Sequence, residues 1–157
     1  MIEDPYKVLL NKALRFLSFR PRSVAEVTKY LEKSGVDSQV VNQVMTKLTT
    51  SKLVDDAEFA KWYSQSRANA RPRSHWLIQK ELQKFGVEID LSQTEIEPDV
   101  DLAQKLLKQK MTRHAKLPWQ EYKTKAARLL YSKGFSWSII EKAAKKEYNK
   151  ADVNYEP

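Results

Sequence analysis

Apolar residues recur along this chain at intervals of three and four. Leu9, Leu10, Ala13, Leu14 and Leu17 form one stripe, Val24, Val27 and Leu31 a second, and Val40, Val41 and Val44 a third. Such spacing lines one face of an α-helix, because positions three and four apart stack on the same side. The pattern then starts again with Phe59, Ala60 and Tyr63, followed by Leu77 or Ile78, Leu82 and Phe85. A weaker stretch, Leu91 to Ile96, is stopped by Pro98. Three more stripes follow: Ala103, Leu106 and Leu107; Ala126, Leu129 and Leu130; Ile139, Ile140 and Ala143.

The glycines punctuate these stripes at a regular period. There are only three, Gly35, Gly86 and Gly134, spaced by 51 and 48 residues. Each has a leucine four positions before it (Leu31, Leu82, Leu130) and an apolar residue after it (Val36, Val87, Phe135). A period in this range marks a repeat architecture. Other residues keep the same offsets. Arg22-Ser23 lies eight residues ahead of Leu31, and Arg73-Ser74 lies eight ahead of Leu82. Val40, Val41 and Val44 follow Gly35 at the offsets at which Ile139, Ile140 and Ala143 follow Gly134.

Each glycine therefore reads as the left-handed residue that ends a second helix. Ser23 with Glu26 reads as a capping box opening that helix. Asp37 and Ser136 read as N-caps of third helices. Asp55-Asp56-Ala57-Glu58 opens a first helix, Asp99 caps another, and Pro118 with Trp119 sits in the first turn of the last second helix. The expectation is an all-α protein of three tandem three-helix repeats forming an elongated, curved array. The repeats span 1–50, 51–98 and 99–149, with a flexible tail over 150–157. Units of about 50 residues are marginal alone, so neighbours must support one another.

Composition sharpens this picture. Three glycines and six prolines among 157 residues leave little turn material, which suits helices. No run approaches the length of a membrane span, and MIEDPYKVLL lacks a basic start and a long apolar stretch, so neither a span nor a secretory signal is expected. With no cysteine, disulfides and thiol chemistry are excluded, and a cytoplasmic location fits.

The net charge of +8 is unevenly placed. Residues 1–87 carry a balance of +6 and residues 102–157 a balance of +8, while residues 88–101 hold six carboxylates and no cation. Two basic blocks flank an acidic connector. Basic surface suits a polyanionic partner such as nucleic acid, and a solvated lysine-rich surface is the plainer account.

Catalytic constellations are missing from the sequence. His75 and His114 stand apart from each other and from any acid–base partner, and read as structural histidines. No zinc spacing occurs, and three separated glycines cannot build a phosphate-cradling loop. No cofactor and no enzymatic activity are expected. Asp55-Asp56 reads as a helix N-terminus rather than a metal site. Trp62, Trp76, Trp119 and Trp137 could stack on bases, yet their helical settings favour packing in a core or between repeats.

The basic residues between first and second helices carry more information. Arg20 and Arg22 flank Pro21, and Arg67, Arg71 and Arg73 surround Pro72. Lys105, Lys108, Lys110 and Arg113 occupy the matching region further on, and Lys125 and Arg128 complete the candidate binding set. Recurrence of cations at one place in each repeat is what an elongated groove binder needs.

Four stretches carry a family resemblance. The first is Ala13-Leu14-Arg15-Phe16-Leu17-Ser18-x-Arg20-x-Arg22-Ser23-x-x-Glu26-Val27-x-x-x-Leu31. The second is Leu53-Val54-Asp55-Asp56-x-x-Phe59-Ala60-x-x-Tyr63-x-x-x-Arg67. Ile78-x-x-Glu81-Leu82-x-x-x-Gly86-Val87 and Lys133-Gly134-Phe135 follow. In order and spacing these resemble the RecX family of regulatory proteins, over roughly residues 6 to 148.

The resemblance implies a cytoplasmic bacterial protein that binds the RecA recombinase. It further implies lodging along the groove of the RecA–single-stranded-DNA filament and suppression of RecA's ATP hydrolysis, strand exchange and co-protease activity. Single- and double-stranded DNA are implied partners, and DNA repair, homologous recombination and the SOS response are the implied setting. Family members often carry Lys-Gly after the arginine matching Arg67. Here Arg67-Ala68-Asn69-Ala70-Arg71-Pro72 has no glycine. Nothing in the sequence points beyond a monomer. Two rival readings stay open: a stand-alone helical DNA-binding module, and an adaptor that binds protein alone.

Overall fold

The computed structural model describes residues 3–153, with side chains through residue 150. Among these it contains eight α-helices and two 3-10 turns, with no strand. α1 (Pro5–Leu17), α2 (Val24–Glu32) and α3 (Ser38–Thr50) come first. α4 (Asp56–Ala70) and α5 (His75–Lys84) follow, then a 3-10 turn at Leu91–Gln93. α6 (Asp99–Lys110), a second 3-10 turn at Thr112–His114, α7 (Trp119–Ser132) and α8 (Trp137–Val153) complete the chain. The tail expected over 150–157 is only partly described: Lys150 lies within α8, and residues 154–157 fall outside the described residues.

Local chemistry explains the helix starts. Asp4 accepts from the Tyr6 amide at 3.0 Å, and Pro5 begins α1 where no donor is needed. Ser23 and Glu26 close the capping box on α2 reciprocally. Asp37 accepts from the Gln39 amide at 2.9 Å to open α3, and Asp55 accepts from the Ala57 amide at 2.9 Å to open α4. Ser136 opens α8 through the Ile139 amide at 3.4 Å. Pro118 lies one position ahead of α7 as its N-cap rather than within its first turn.

The described residues gather into two compact units. One takes the chain up to Tyr63 together with Glu81–Ile89, and the other takes Ser64–Lys80 and the chain from Asp90 on. Both α4 and α5 are thus shared between units. In the first unit α1, α2 and α3 pack as a bundle on Leu9, Ala13, Val27, Leu31, Val41, Val44, Met45, Leu48 and Val54. In the second, α6, α7 and α8 form another bundle around Leu102, Leu106, Leu107, Tyr122, Ala126, Leu130, Ile140 and Ala143. Each fully buried leucine, valine or isoleucine contributes about 1.5–3 kcal/mol of transfer free energy. The segment after α5 has no third helix. Leu91 buries itself from the single 3-10 turn, which ends where Thr94 turns extended, well ahead of Pro98.

All three glycines adopt positive φ, at +74° for Gly35, +75° for Gly86 and +85° for Gly134. Val87 N donates to Leu82 O at 3.0 Å and Phe135 N to Leu130 O at 3.2 Å, the bond that closes a Schellman turn. Two of these glycines serve a second purpose. A Cβ on Gly86 would stand 2.7 Å from Ala25 Cβ, and one on Gly134 would stand 2.5 Å from Ser74 Oγ, whereas Gly35 has nothing within 4 Å.

The start of α2 is therefore seated against the glycine that ends α5, and the start of α5 against the glycine that ends α7. Ser23 Oγ donates to Phe85 O at 2.7 Å, and Ser74 N donates to Lys133 O at 3.1 Å. Both serines are fully buried. Each seat has a third element. Asp56 accepts from the Val24 amide at 2.8 Å, and Asp99 accepts from the His75 amide at 2.9 Å. Asp99 thus caps α5, correcting the expectation that it caps its own helix; α6 has no side-chain cap.

Candidate functional site

The eleven candidate cations fall into two groups. Arg20 and Arg22 belong to the first unit, and the other nine to the second.

Arg20 and Arg22 converge on one carboxylate. Arg20 pairs with Glu26 at 2.6 and 3.3 Å through its two terminal nitrogens, and Arg22 Nη1 lies 3.8 Å from the same group. Arg20 also donates to Pro21 O at 2.7 Å, and its guanidinium carbon lies 5.7 Å from the centre of the Trp62 ring. Arg22 sits 3.9 Å over Phe16, which stacks on Tyr30 at 4.0 Å. Burial lowers the Arg22 pKa from its ordinary value; the Arg20 charge adds to this and Glu26 opposes it. These two arginines order the α1–α2 junction and present only part of their charge to solvent.

In the second unit, α4 ends in a cationic turn. Arg67 is half-buried, Arg71 is exposed, and Arg73 Nε donates to Arg71 O at 3.0 Å. Lys105 approaches the same turn from α6. Its ammonium donates to Ala68 O at 3.3 Å and pairs with Glu97 at 2.5 Å. The structure thus brings Lys105 beside the residue that follows Arg67. Lys108, Lys110, Arg113, Lys125 and Arg128 are exposed. Lys108 reaches Glu147 at 4.0 Å, and Arg113 Nε contacts His114 Nε2 at 3.3 Å.

The acidic connector is engaged rather than purely solvated. Glu97 holds Lys105, and its carbonyl meets His75 Nε2 at 2.6 Å. His75 thereby ties α5 to the start of α6 through both its ring and its amide. Asp55 and Asp56 serve as helix caps for α4 and α2. Among the described residues no group of three or more His, Asp or Glu is placed to hold a metal. No helix among them is long and apolar enough to cross a membrane.

The tryptophans divide. Trp119 packs with Tyr122 and Tyr148 at ring distances of 6.3 and 5.2 Å, and Trp62 lies 5.9 Å from Phe59. Trp76 and Trp137 do not pack away. They are 57% and 63% exposed, which corrects the expectation of a core position for these two, while the Trp76 ring edge still meets the Gly134 turn. Helical periodicity does not separate these cases, because an aromatic beside a stripe reads the same whether its ring turns in or out.

Fold and cations together define a class: an all-helical protein built on three-helix bundles, with arginine and lysine gathered at the helix junctions. Comparison with known proteins gives the class a family. The model of the first three-helix domain of RecX matches residues 10–48, and that of the third matches residues 97–144. The chain is 34% identical over 144 residues to the regulatory protein RecX of Geobacillus sp. (strain WCH70), covering 88% of this chain and 53% of that protein. It is 34% identical over 155 residues to that of Bacillus pumilus (strain SAFR-032), covering 93% and 57%.

In overall fold it is similar to the crystal structure of RecX from Lactobacillus salivarius, with a TM-score of 0.75 at 23% identity over 90% of this chain and 96% of that one. A second crystal structure of a regulatory protein RecX gives 0.70 at 24% identity, over 89% of this chain and 71% of that one. The chain belongs to the RecX family of regulatory proteins. It spans about half the length of the curated relatives it matches.

Proposed function

We propose that this protein binds the RecA–single-stranded-DNA filament along its groove and inhibits RecA's ATP hydrolysis, strand exchange and co-protease activity, without enzymatic activity of its own. Family membership carries this reading. The exposed cations of the second unit support it, because Arg71, Lys110 and Arg113 are long, flexible and open to phosphate or to acidic protein surface. Three tandem repeats over 1–50, 51–98 and 99–149 are part of the proposal, since a periodic binder suits a periodic filament. Occupying the groove would restrain the subunit motion that turnover needs, and would do so in the cytoplasm, where DNA repair, recombination and the SOS response take place.

The test is single-stranded-DNA-dependent ATP hydrolysis by RecA, titrated with this protein. The expected result is inhibition at well below one copy per RecA, weakened by salt and by the triple substitution Arg71→Glu, Lys110→Glu, Arg113→Glu. No inhibition at excess, with duplex binding intact, would leave the stand-alone DNA-binding module as the better account.

A further inference from the structure

One corner of the second unit is not used by the reading above. The turn from α7 to α8 carries Tyr131, Gly134 and Trp137, and the start of α5 carries Trp76. Tyr131 is 65% exposed, alongside Trp137 at 63% and Trp76 at 57%. The Tyr131 and Trp137 rings stack at 5.9 Å with 25° between their planes. Trp76 reaches the same turn, since its ring carbon Cε3 would lie 3.3 Å from a Cβ on Gly134, the residue midway between the other two. The Ser74 amide bonded to Lys133 O holds α5 at this place.

Three large rings gathered on one exposed corner need an account. Large exposed aromatics are uncommon on a folded surface unless a partner covers them, and scattered single residues would need no explanation. The surrounding charge says which partner. Lys80 Nζ lies 5.7 Å from the Trp76 ring centre. Lys133 adjoins Gly134, and exposed Arg128 precedes Tyr131 by one helical turn. Glu141, one turn beyond Trp137, is paired with Lys123 at 3.7 Å. Flat rings set among cations complement flat bases carried on an anionic backbone, a combination that favours unpaired strands because duplex bases hide their faces.

We infer that Trp76, Tyr131 and Trp137 form a stacking site for the unpaired bases of single-stranded nucleic acid, with Lys80, Lys133 and Arg128 serving the phosphates. Gly134 leaves room for the Trp76 ring edge to lie against the turn that carries the stacked pair. The inference deepens the nucleic-acid part of the proposed function and rests on that part alone, independently of RecA.

The experiment compares binding of the full chain to an oligothymidylate and to an abasic deoxyribose-phosphate oligomer of equal length, at one salt concentration, by fluorescence anisotropy. Wild type is expected to bind the base-bearing strand more tightly. The double substitution Trp76→Ala, Trp137→Ala should weaken that binding at least about fivefold, in keeping with base–aromatic stacking, and leave abasic binding unchanged. Trp76→Phe, Trp137→Phe should restore most of the loss, and circular dichroism should show the same helix content throughout.

Equal binding to both strands by wild type, an unchanged affinity in the alanine variant, or an equal loss on the abasic strand would each overturn the inference. RecA inhibition measured on the same variants keeps the two readings apart. Wild type that discriminates bases yet never inhibits RecA would sink the proposed function and leave this site standing. Inhibition lost with oligonucleotide affinity intact would make the corner a protein-docking surface and overturn the site.

Discussion

The seat of α2 on the end of α5 and the seat of α5 on the end of α7 share one plan and differ in how their hydrogen bonds are filled. In the first, Glu26 accepts from the Ser23 amide at 3.2 Å, and it is the serine hydroxyl that donates to Phe85 O. In the second the residue three along is Leu77, which brings no carboxylate, and the Ser74 amide itself goes to Lys133 O. What stays constant is the geometry: a buried serine, a glycine with no room beside it, and an aspartate reaching back to the first amide of the helix. The difference teaches that position is maintained while the donor changes, as expected where a carbonyl at a part-buried helix end is satisfied by whichever donor is near.

The largest effect should come from filling the space at the glycines. Gly86→Ala and Gly134→Ala each combine left-handed strain of about 1–2 kcal/mol with overpacking of about 1–3 kcal/mol. Gly35→Ala should lose the first contribution only. Urea unfolding that found all three equal would break the distinction between occupied and open glycines.

Next come the serines. Ser23→Ala removes a cap and the partner of a part-buried carbonyl, for a loss of about 1–2 kcal/mol, while Ser74→Ala keeps the amide bond to Lys133 O and should cost about 1 kcal/mol or less. A larger loss at Ser74 in thermal unfolding would invert the account of the two seats. The aspartates follow. Asp56→Ala and Asp99→Ala are expected to cost about 0.5–1 kcal/mol each, since another element loses its cap and not their own helix. Hydrogen exchange should then speed up at the Val24 and His75 amides.

The smallest effect concerns only the second unit. Burial, and then the Glu147 charge, push the Tyr122 phenol up to about 12. A raised folded value means that this stabilisation is complete below the ordinary tyrosine pKa of about 10 and is lost as pH rises through about 12. Tyr122→Phe should flatten that alkaline decline, and a decline unchanged in the variant would assign it to other groups.

Much of this architecture is legible in the sequence because it is local. The capping box at Ser23 and Glu26 spans three residues, the Schellman turns span five, and the apolar stripes repeat within a helix. What escapes is what crosses between helices. Asp56 caps Val24 from 32 residues away and Asp99 caps His75 from 24 away, and neither can be told from an acid in its own first turn. The same limit applies to the candidate site. The sequence picks out Arg20 and Arg22 as cations at a junction, yet only the fold shows that Glu26 engages both, while Arg71 stays open. The exposed Trp76 and Trp137 carry no periodic signal that separates them from Trp119, because ring direction depends on neighbours distant in the chain.

The seats also give the chain a reading direction. Each is made by a giver, the serine at a helix start, and a receiver, the glycine at a helix end, and the two are never interchangeable. Gly35 is a receiver with nothing beside it, and Pro118 at the start of α7 offers neither a hydroxyl nor an amide hydrogen with which to give. Segments of this kind could be shuffled only in an order that keeps givers ahead of receivers.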